Sequence, residues 1–522
     1  MNYKNYLSRK QIRLSTYLLL SSVSFATFAF AQNNNIVVDT AAHQGNGAPN
    51  IVQSSNGTDV LNIVKPTAGG VSHNKFLEYN VNESNLILNN HAYKTGIPQG
   101  ESTLGGTVAF NPNFGTGDAA RVILNEVTSN STTALEGYTE IFGQRAALVI
   151  ANPNGITAAG AGFINLSRLT MITGKPNVVD GKLQDFAISP VGTISIEGKG
   201  EQAFGLHVPE SPAELVSNAV KVAGNIYVDE DQELTIKTGN EKYDYNTKQI
   251  TSKNDTATQP TLALDSSALG GMYAGRIKIE ATQSGMGIKT DGNLVADMDN
   301  LEITADGDIV FKNVAAKNNI KVATKSGSAE HKTDGIAHAE KDLTITAGKN
   351  VQLNGTAYAS NNISSEAKEN IGVQGTAFAE NNINLTAQKD VTLEGEFVLS
   401  DTLNVKAGQN LTASMQIAAV KNADITAGKD LNLTKEFINA DTINIEAKNN
   451  LTNDGKLVAD TDLTVNVGKN LTNNDTILAQ NTATIEVGSD SLLNSGSVSA
   501  KNLSLTSGTL TNNAQIATDE TL

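Results

Sequence analysis

Leu343-Thr-Ile-Thr-Ala-Gly-Lys-Asn350 returns as Ile383-Asn-Leu-Thr-Ala-Gln-Lys-Asp390, Leu403-Asn-Val-Lys-Ala-Gly-Gln-Asn410 and Ala423-Asp-Ile-Thr-Ala-Gly-Lys-Asp430. It comes back again as Ile443-Asn-Ile-Glu-Ala-Lys-Asn-Asn450 and Leu463-Thr-Val-Asn-Val-Gly-Lys-Asn470. A fixed period near twenty residues marks a stacked solenoid, in which each coil leans only on its neighbours. Within a unit, apolar and polar residues alternate one by one, which is the rhythm of a strand and not of a helix. The reading is an all-β, right-handed parallel β-helix (β-solenoid).

The register of the repeat predicts how the coils are tied. Positions 350, 370, 390, 410, 430, 450, 470 and 490 are Asn, Asn, Asp, Asn, Asp, Asn, Asn and Asp. Stacked at the inter-strand spacing, such side chains can hydrogen-bond up the rod as a ladder. The following position is Val351, Ile371, Val391, Leu411, Leu431, Leu451 and Leu471, an aliphatic stack facing inward. The acids are too sparse for a calcium cage. About ten coils between 301 and 510 would give roughly 50 Å of rod. One insertion interrupts them around 326–335.

Composition agrees. Of 522 residues, 45 are Gly and 10 are Pro, there is no Trp or Cys, and aromatic residues make up 5%. Thin coils take small aliphatics inside and Gly, Asn and Asp at their corners. The absence of Cys suits a rod that needs no staple, and equally a chain that must stay unfolded during export. The formal charge of −16 argues against nucleic acid as a partner.

Residues 1–31 read as a signal peptide. Lys4, Arg9, Lys10 and Arg13 form a basic n-region, an apolar stretch runs from Leu14 to Phe30, and Ala29-Phe30-Ala31 is a cleavage signal that leaves Gln32 as the mature start. A membrane anchor is disfavoured because the apolar core is short and broken by serines.

Residues 32–200 form a first domain of short strands such as Ile36-Val-Val38, Leu86-Ile-Leu88 and Ala147-Leu-Val-Ile150, with hairpins or loops outside the coil. Two corners stand out in it. Asn111-Pro112-Asn113-Phe114 and Asn152-Pro153-Asn154-Gly155 place Asn first and Pro second, the chemistry of a type I turn. Residues 201–300 read as an irregular transition: 210–220 as a short helix or an excursion, 240–260 as a protruding polar loop. Residues 301–522 are the repeats.

Catalytic patterns are missing. His43, His73, His91, His207, His331 and His338 show no metal spacing, and no nucleophile elbow occurs. Gly155-Ile-Thr-Ala-Ala-Gly-Ala-Gly162 lacks the context of a phosphate loop, and Asp229-Glu-Asp231 reads as a solvated loop. No cofactor or metal is expected. Asn-x-Ser/Thr triplets such as Asn410-Leu-Thr412 are generated by the repeat, which leaves glycosylation open.

A family resemblance rests on further residues. Gly70-Val-Ser-His-Asn-Lys-Phe76, Tyr79-Asn80, Leu86-Ile-Leu-Asn-Asn90, Ile123-Leu-Asn-Glu-Val127, Gly143-Gln-Arg145, Ala151-Asn-Pro-Asn-Gly-Ile156, Gly162-Phe-Ile-Asn165 and Ser167-Arg168 resemble the secretion domain of two-partner secretion exoproteins of the filamentous haemagglutinin type. Ala268-Leu-Gly-Gly-Met-Tyr-Ala274 resembles a segment often found after it. The resemblance covers roughly 36–290. Phe114 stands where the family usually has Leu, and Ala158 and Ala161 stand where many members have a C-x-x-C pair. The resemblance implies export through the periplasm of a Gram-negative bacterium and through an outer-membrane β-barrel transporter, whose periplasmic modules recognise the first domain. It makes Asn111, Pro112, Asn113, Asn152, Pro153, Asn154 and Gly155 the secretion motif. On this basis Asn152→Ala or Asn154→Ala is expected to impair secretion more than stability. The product would be a secreted or surface-exposed adhesin that meets a host-cell or bacterial surface receptor or glycan. The alternative is the N-terminal part of a contact-dependent growth-inhibition toxin or haemolysin whose effector tip is absent here. An enzyme on a β-helix would need clustered acids or bases on one face, and none is apparent.

Overall fold

In the computed structural model, which describes residues 34–43, 47–93, 96–253 and 262–521, the strands stack into a parallel β-solenoid of about 19 turns. The signal-peptide reading, with cleavage between Ala31 and Gln32, lies outside the described residues. Among the described residues, helical turns are short, as at Thr40–Ala42 and Pro112–Phe114.

A regular turn has three strands. Leu343–Ala347, Val351–Leu353 and Thr356–Ala359 are followed, twenty residues on, by strands paired to them in parallel: Leu343 opposite Ile363, Val351 opposite Ile371, Thr356 opposite Thr376. Alternation turns Leu343, Ile345, Val351, Leu353, Ala357 and Ala359 into the core, where all are buried. Each buried Leu, Ile or Val stabilises the stack by about 2 kcal/mol, and the next coil repeats the gain.

The asparagine ladder forms as the register predicts. Asn350 Oδ1 accepts the backbone N–H (3.1 Å) and the Nδ2 (3.0 Å) of Asn370. Asp390 Oδ1 does the same for Asn410, and Asp430 Oδ1 for Asn450. At the far end the prediction fails by one residue. Asn470 is met by Ser491, whose N–H and Oγ reach Asn470 Oδ1 at 3.2 and 2.9 Å, and not by Asp490. Leu471 pairs with Leu492, so this coil is one residue longer than its predecessors. A second ladder links the side chains of Asn453, Asn473 and Asn494, all buried, and of the exposed Asn512 by hydrogen bonds of 2.7–2.8 Å.

The insertion in the repeats sits at the strand junction between Ala329–His331 and Ile336–Ala339. Asp334 turns there with φ +61°, a left-handed conformation that Asp tolerates.

Residues 201–300 continue the stack. Glu210 to Val220 holds neither helix nor excursion: Ala213–Ser217 and Ala219–Val222 are rungs of the main sheet. All of 213–217 is buried on both faces, which erases the alternation that identifies a strand from sequence. The expected loop over 240–260 holds two strands, Lys242–Asp244 and Ile250–Thr251. They complete a four-stranded antiparallel sheet begun by Gly174–Val179 and Lys182–Ile188, outside the solenoid. A further hairpin, Gln99–Ser102 with Gly106–Ala109, is anchored by buried Glu140, which accepts Ser102 Oγ (2.6 Å) and the backbone N–H groups of Thr103 and Leu104. At the N-terminal end, Ile36–Val38 pairs antiparallel with Val71–Tyr79, and Asn50–Gln53 with Asp59–Asn62. These strands shield rung edges that would otherwise stand open.

Candidate functional site

Both Asn-Pro-Asn segments are tight corners, and in both the asparagines turn inward. After the strand Ala146–Ala151, Asn152 is fully buried. Its Oδ1 accepts the backbone N–H of Asn154 at 2.9 Å, an Asx turn. Its Nδ2 donates to Ser131 O (3.0 Å) and Thr133 Oγ1 (2.9 Å) on the neighbouring rung. Asn154 Nδ2 reaches Ser129 O at 2.8 Å. Pro153 supplies the fixed φ of the second turn position. Gly155 closes the turn through its N–H to Asn152 O (3.3 Å) with φ +128°, a conformation that L side chains rarely adopt.

The first corner repeats this plan. Asn111, fully buried, accepts the N–H of Asn113 (2.9 Å) and donates from Nδ2 to Ile63 O (2.9 Å) and Asn89 O (2.8 Å). Asn113 Nδ2 reaches Asn62 O at 3.0 Å. Pro112 is exposed. Phe114, where the resemblance expects Leu, is buried in the main core. The corners serve different rungs: one grips 62–63 and 89, the other 129–133.

Other motif residues act in the same way. Asn90 Nδ2 bridges Ala120 O and Gln144 O, Arg145 reaches Glu210 O (2.9 Å) and Ser211 Oγ (3.1 Å), and His73 Nε2 lies 2.7 Å from Glu126 Oε2. Ala158 and Ala161 are both buried, so the positions that hold thiols in many relatives of the resembled family are core positions here. This arrangement can tie rung to rung. Glu140, bound to the hairpin 99–109, and Glu214, whose Oε2 lies 3.7 Å from Lys248 Nζ on the hairpin 242–251, carry no mark in the sequence, because the docking of those hairpins has no periodic signal.

The TPS secretion domain family model matches residues 34–311. Among curated proteins, Toxin CdiA of Yersinia pestis is 38% identical over 294 residues, 56% of this chain and 8% of that protein. The tRNA nuclease CdiA-2 of Burkholderia pseudomallei is 37% identical over 279 residues, 53% of this chain and 8% of that protein. The 16S rRNA endonuclease CdiA of Enterobacter cloacae is 34% identical over 313 residues, 58% of this chain and 9% of that protein. The matched stretch thus spans less than a tenth of each of these relatives. Among solved structures, the filamentous hemagglutinin secretion domain is 27% identical, covers 61% of this chain and 97% of its own, and gives a TM-score of 0.49.

Proposed function

The chain belongs to the family of two-partner secretion exoproteins that carry the TPS secretion domain, and from that membership we propose that residues 34–311 are the address read by a cognate outer-membrane β-barrel transporter and its periplasmic modules. The same residues then nucleate the rod outside the cell. Residues 1–31 are removed after Ala31, the chain crosses the periplasm of a Gram-negative bacterium unfolded, and the folded product is secreted or held at the surface. It works as a non-enzymatic stalk that presents an adhesive face to a host-cell or bacterial receptor or glycan.

One observation carries this reading. The matched region and the repeats are one continuous template: Ile279 pairs with Ile303, Ile303 with Val322, and Val322 with Ile345, without a break at residue 311. Each coil can therefore be laid on the previous one as it emerges, and folding outside biases the chain against sliding back. The secretion motif Asn111, Pro112, Asn113, Asn152, Pro153, Asn154 and Gly155 fits recognition before folding, since the closed corners bury Asn111 and Asn152.

The experiment is secretion of the whole chain with its transporter, compared with a variant lacking 34–311. Normal export of the deletion refutes the address. The names of the relatives favour a second reading, in which the same rod serves a contact-dependent toxin. Growth inhibition of neighbouring cells by the source bacterium in co-culture, lost when the gene is deleted, supports that reading; loss of attachment on deletion with inhibition unchanged supports the adhesin.

A further inference from the structure

One outer face of the solenoid is covered. Leu124, Val149, Ile172 and Val216 lie on rungs of the first half, and all four are buried beneath the four-stranded side sheet. Phe186, Leu183, Tyr243 and Ile250 of that sheet pack on them. The cover comes in two pieces. Its first hairpin, Gly174–Ile188, follows the strand Leu166–Ile172, and its second, Lys242–Thr251, follows Glu233–Thr238. They meet edge to edge, Asp185 opposite Asp244, Phe186 opposite Tyr243 and Ala187 opposite Lys242, with the rings of Phe186 and Tyr243 6.3 Å apart.

A polar clasp fixes the second hairpin to the coil. Lys248 Nζ lies 3.7 Å from Glu214 Oε2, on a rung laid down earlier, and 3.9 Å from the centre of the Tyr245 ring. Lys237, buried on the next rung, donates to Lys248 O, and its Nζ also lies 3.7 Å from Glu280. Burial pushes the Lys248 ammonium down to about 8, although Glu214 pulls the other way. Among the described residues, Lys248 is the cation within ion-pair distance of Glu214.

We propose that the hairpin 242–251 is a folding latch for the first half of the protein. In the repeats, a coil needs only its neighbours. The rungs from 122 to 217 need more, because their outward Leu124, Val149, Ile172 and Val216 cannot be buried by stacking. They are sealed only when a hairpin from downstream arrives and pairs with 182–188. The first half therefore closes as one cooperative unit after residue 251 has joined, while the repeats close coil by coil. The latch rests on this geometry and stands independently of the transporter reading.

Hydrogen exchange followed segment by segment on the full chain tests it. Tyr243→Ala combined with Lys248→Ser is expected to speed exchange in Ala146–Ile172 and Ala213–Ser217 by at least about tenfold, with Leu343–Ala407 unchanged as the internal control. Unchanged exchange in the first two segments, or equal loss in the repeats, overturns the latch. A second variant guards against simple misfolding. Ala187→Cys with Lys242→Cys places thiols on two exposed, directly paired positions of a chain without Cys. Its oxidised form should exchange more slowly than its reduced form across Ala146–Ile172. Identical rates in the two forms also overturn the proposal.

Discussion

Asn152 holds Asn154 twice: its Oδ1 accepts both the backbone N–H (2.9 Å) and the Nδ2 (3.0 Å) of the second asparagine. Because Asn152 also donates to Ser131 and Thr133 from full burial, the corner is a fastener as well as a motif.

Asn152→Ala should therefore cost about 2–4 kcal/mol, since it strands buried partners, while Asn154→Ala, at a half-buried site, costs about 1 kcal/mol. Urea unfolding of the mature chain measures both. For Asn152 this differs from the sequence expectation that secretion suffers more than stability. An export defect in Asn154→Ala with little loss of stability would isolate the recognition role.

In the outer ladder Asp and Asn alternate from Asp390 to Asn450, and Asn410 is the spacer between Asp390 and Asp430. Asn410→Asp would set three carboxylates one strand spacing apart and remove the amide donor to Asp390. The expected loss is about 1–3 kcal/mol at pH 7. Urea midpoints of this variant and of the unchanged chain at pH 7 measure it.

His331 is buried against Phe311, ring centroids 5.1 Å apart, and burial lowers its pKa from 6.5 to about 4. A depressed folded-state pKa means that stability is fully present above pH 6.5 and lost as pH falls toward 4. The shift corresponds to about 3 kcal/mol. His331→Phe should remove that part of the acid sensitivity, seen as a flatter dependence of stability on pH between 6.5 and 4.

Ser365 interrupts the aliphatic stack between Ile345 and Leu385, buried and with its hydroxyl unpaired. Ser365→Val should stabilise the rod by about 1–2 kcal/mol, measured as a rise in the urea midpoint.

The regular coils are legible in the sequence because each position has one job repeated every twenty residues. Val351, Ile371 and Val391 must face in, and Asn350 and Asn370 must stack. Legibility ends where that identity ends. Leu215 and Val216 face opposite sides and are both buried, because a hairpin from elsewhere covers the outer one, so the strand rhythm vanishes. Ser491 replaces Asp490 in the ladder because one extra residue entered the coil after Leu471, and a fixed period cannot register it. At the corners, the Asn-Pro-Asn order announces the turn, whereas the inward reach of Asn111 to Ile63 and Asn89 depends on neighbours that only the stacked fold supplies.

The distance between spin labels at Lys278 and Thr464, introduced as the only two cysteines of the chain, tests the continuous stack most directly. These positions lie on one column, through Glu302, Lys321, Thr344, Ser364, Asn384, Asn404, Asp424 and Asn444. A rod that runs unbroken from the secretion domain into the repeats predicts a narrow distribution centred at about 43 Å. A broad distribution, or a mean below about 25 Å, would contradict it.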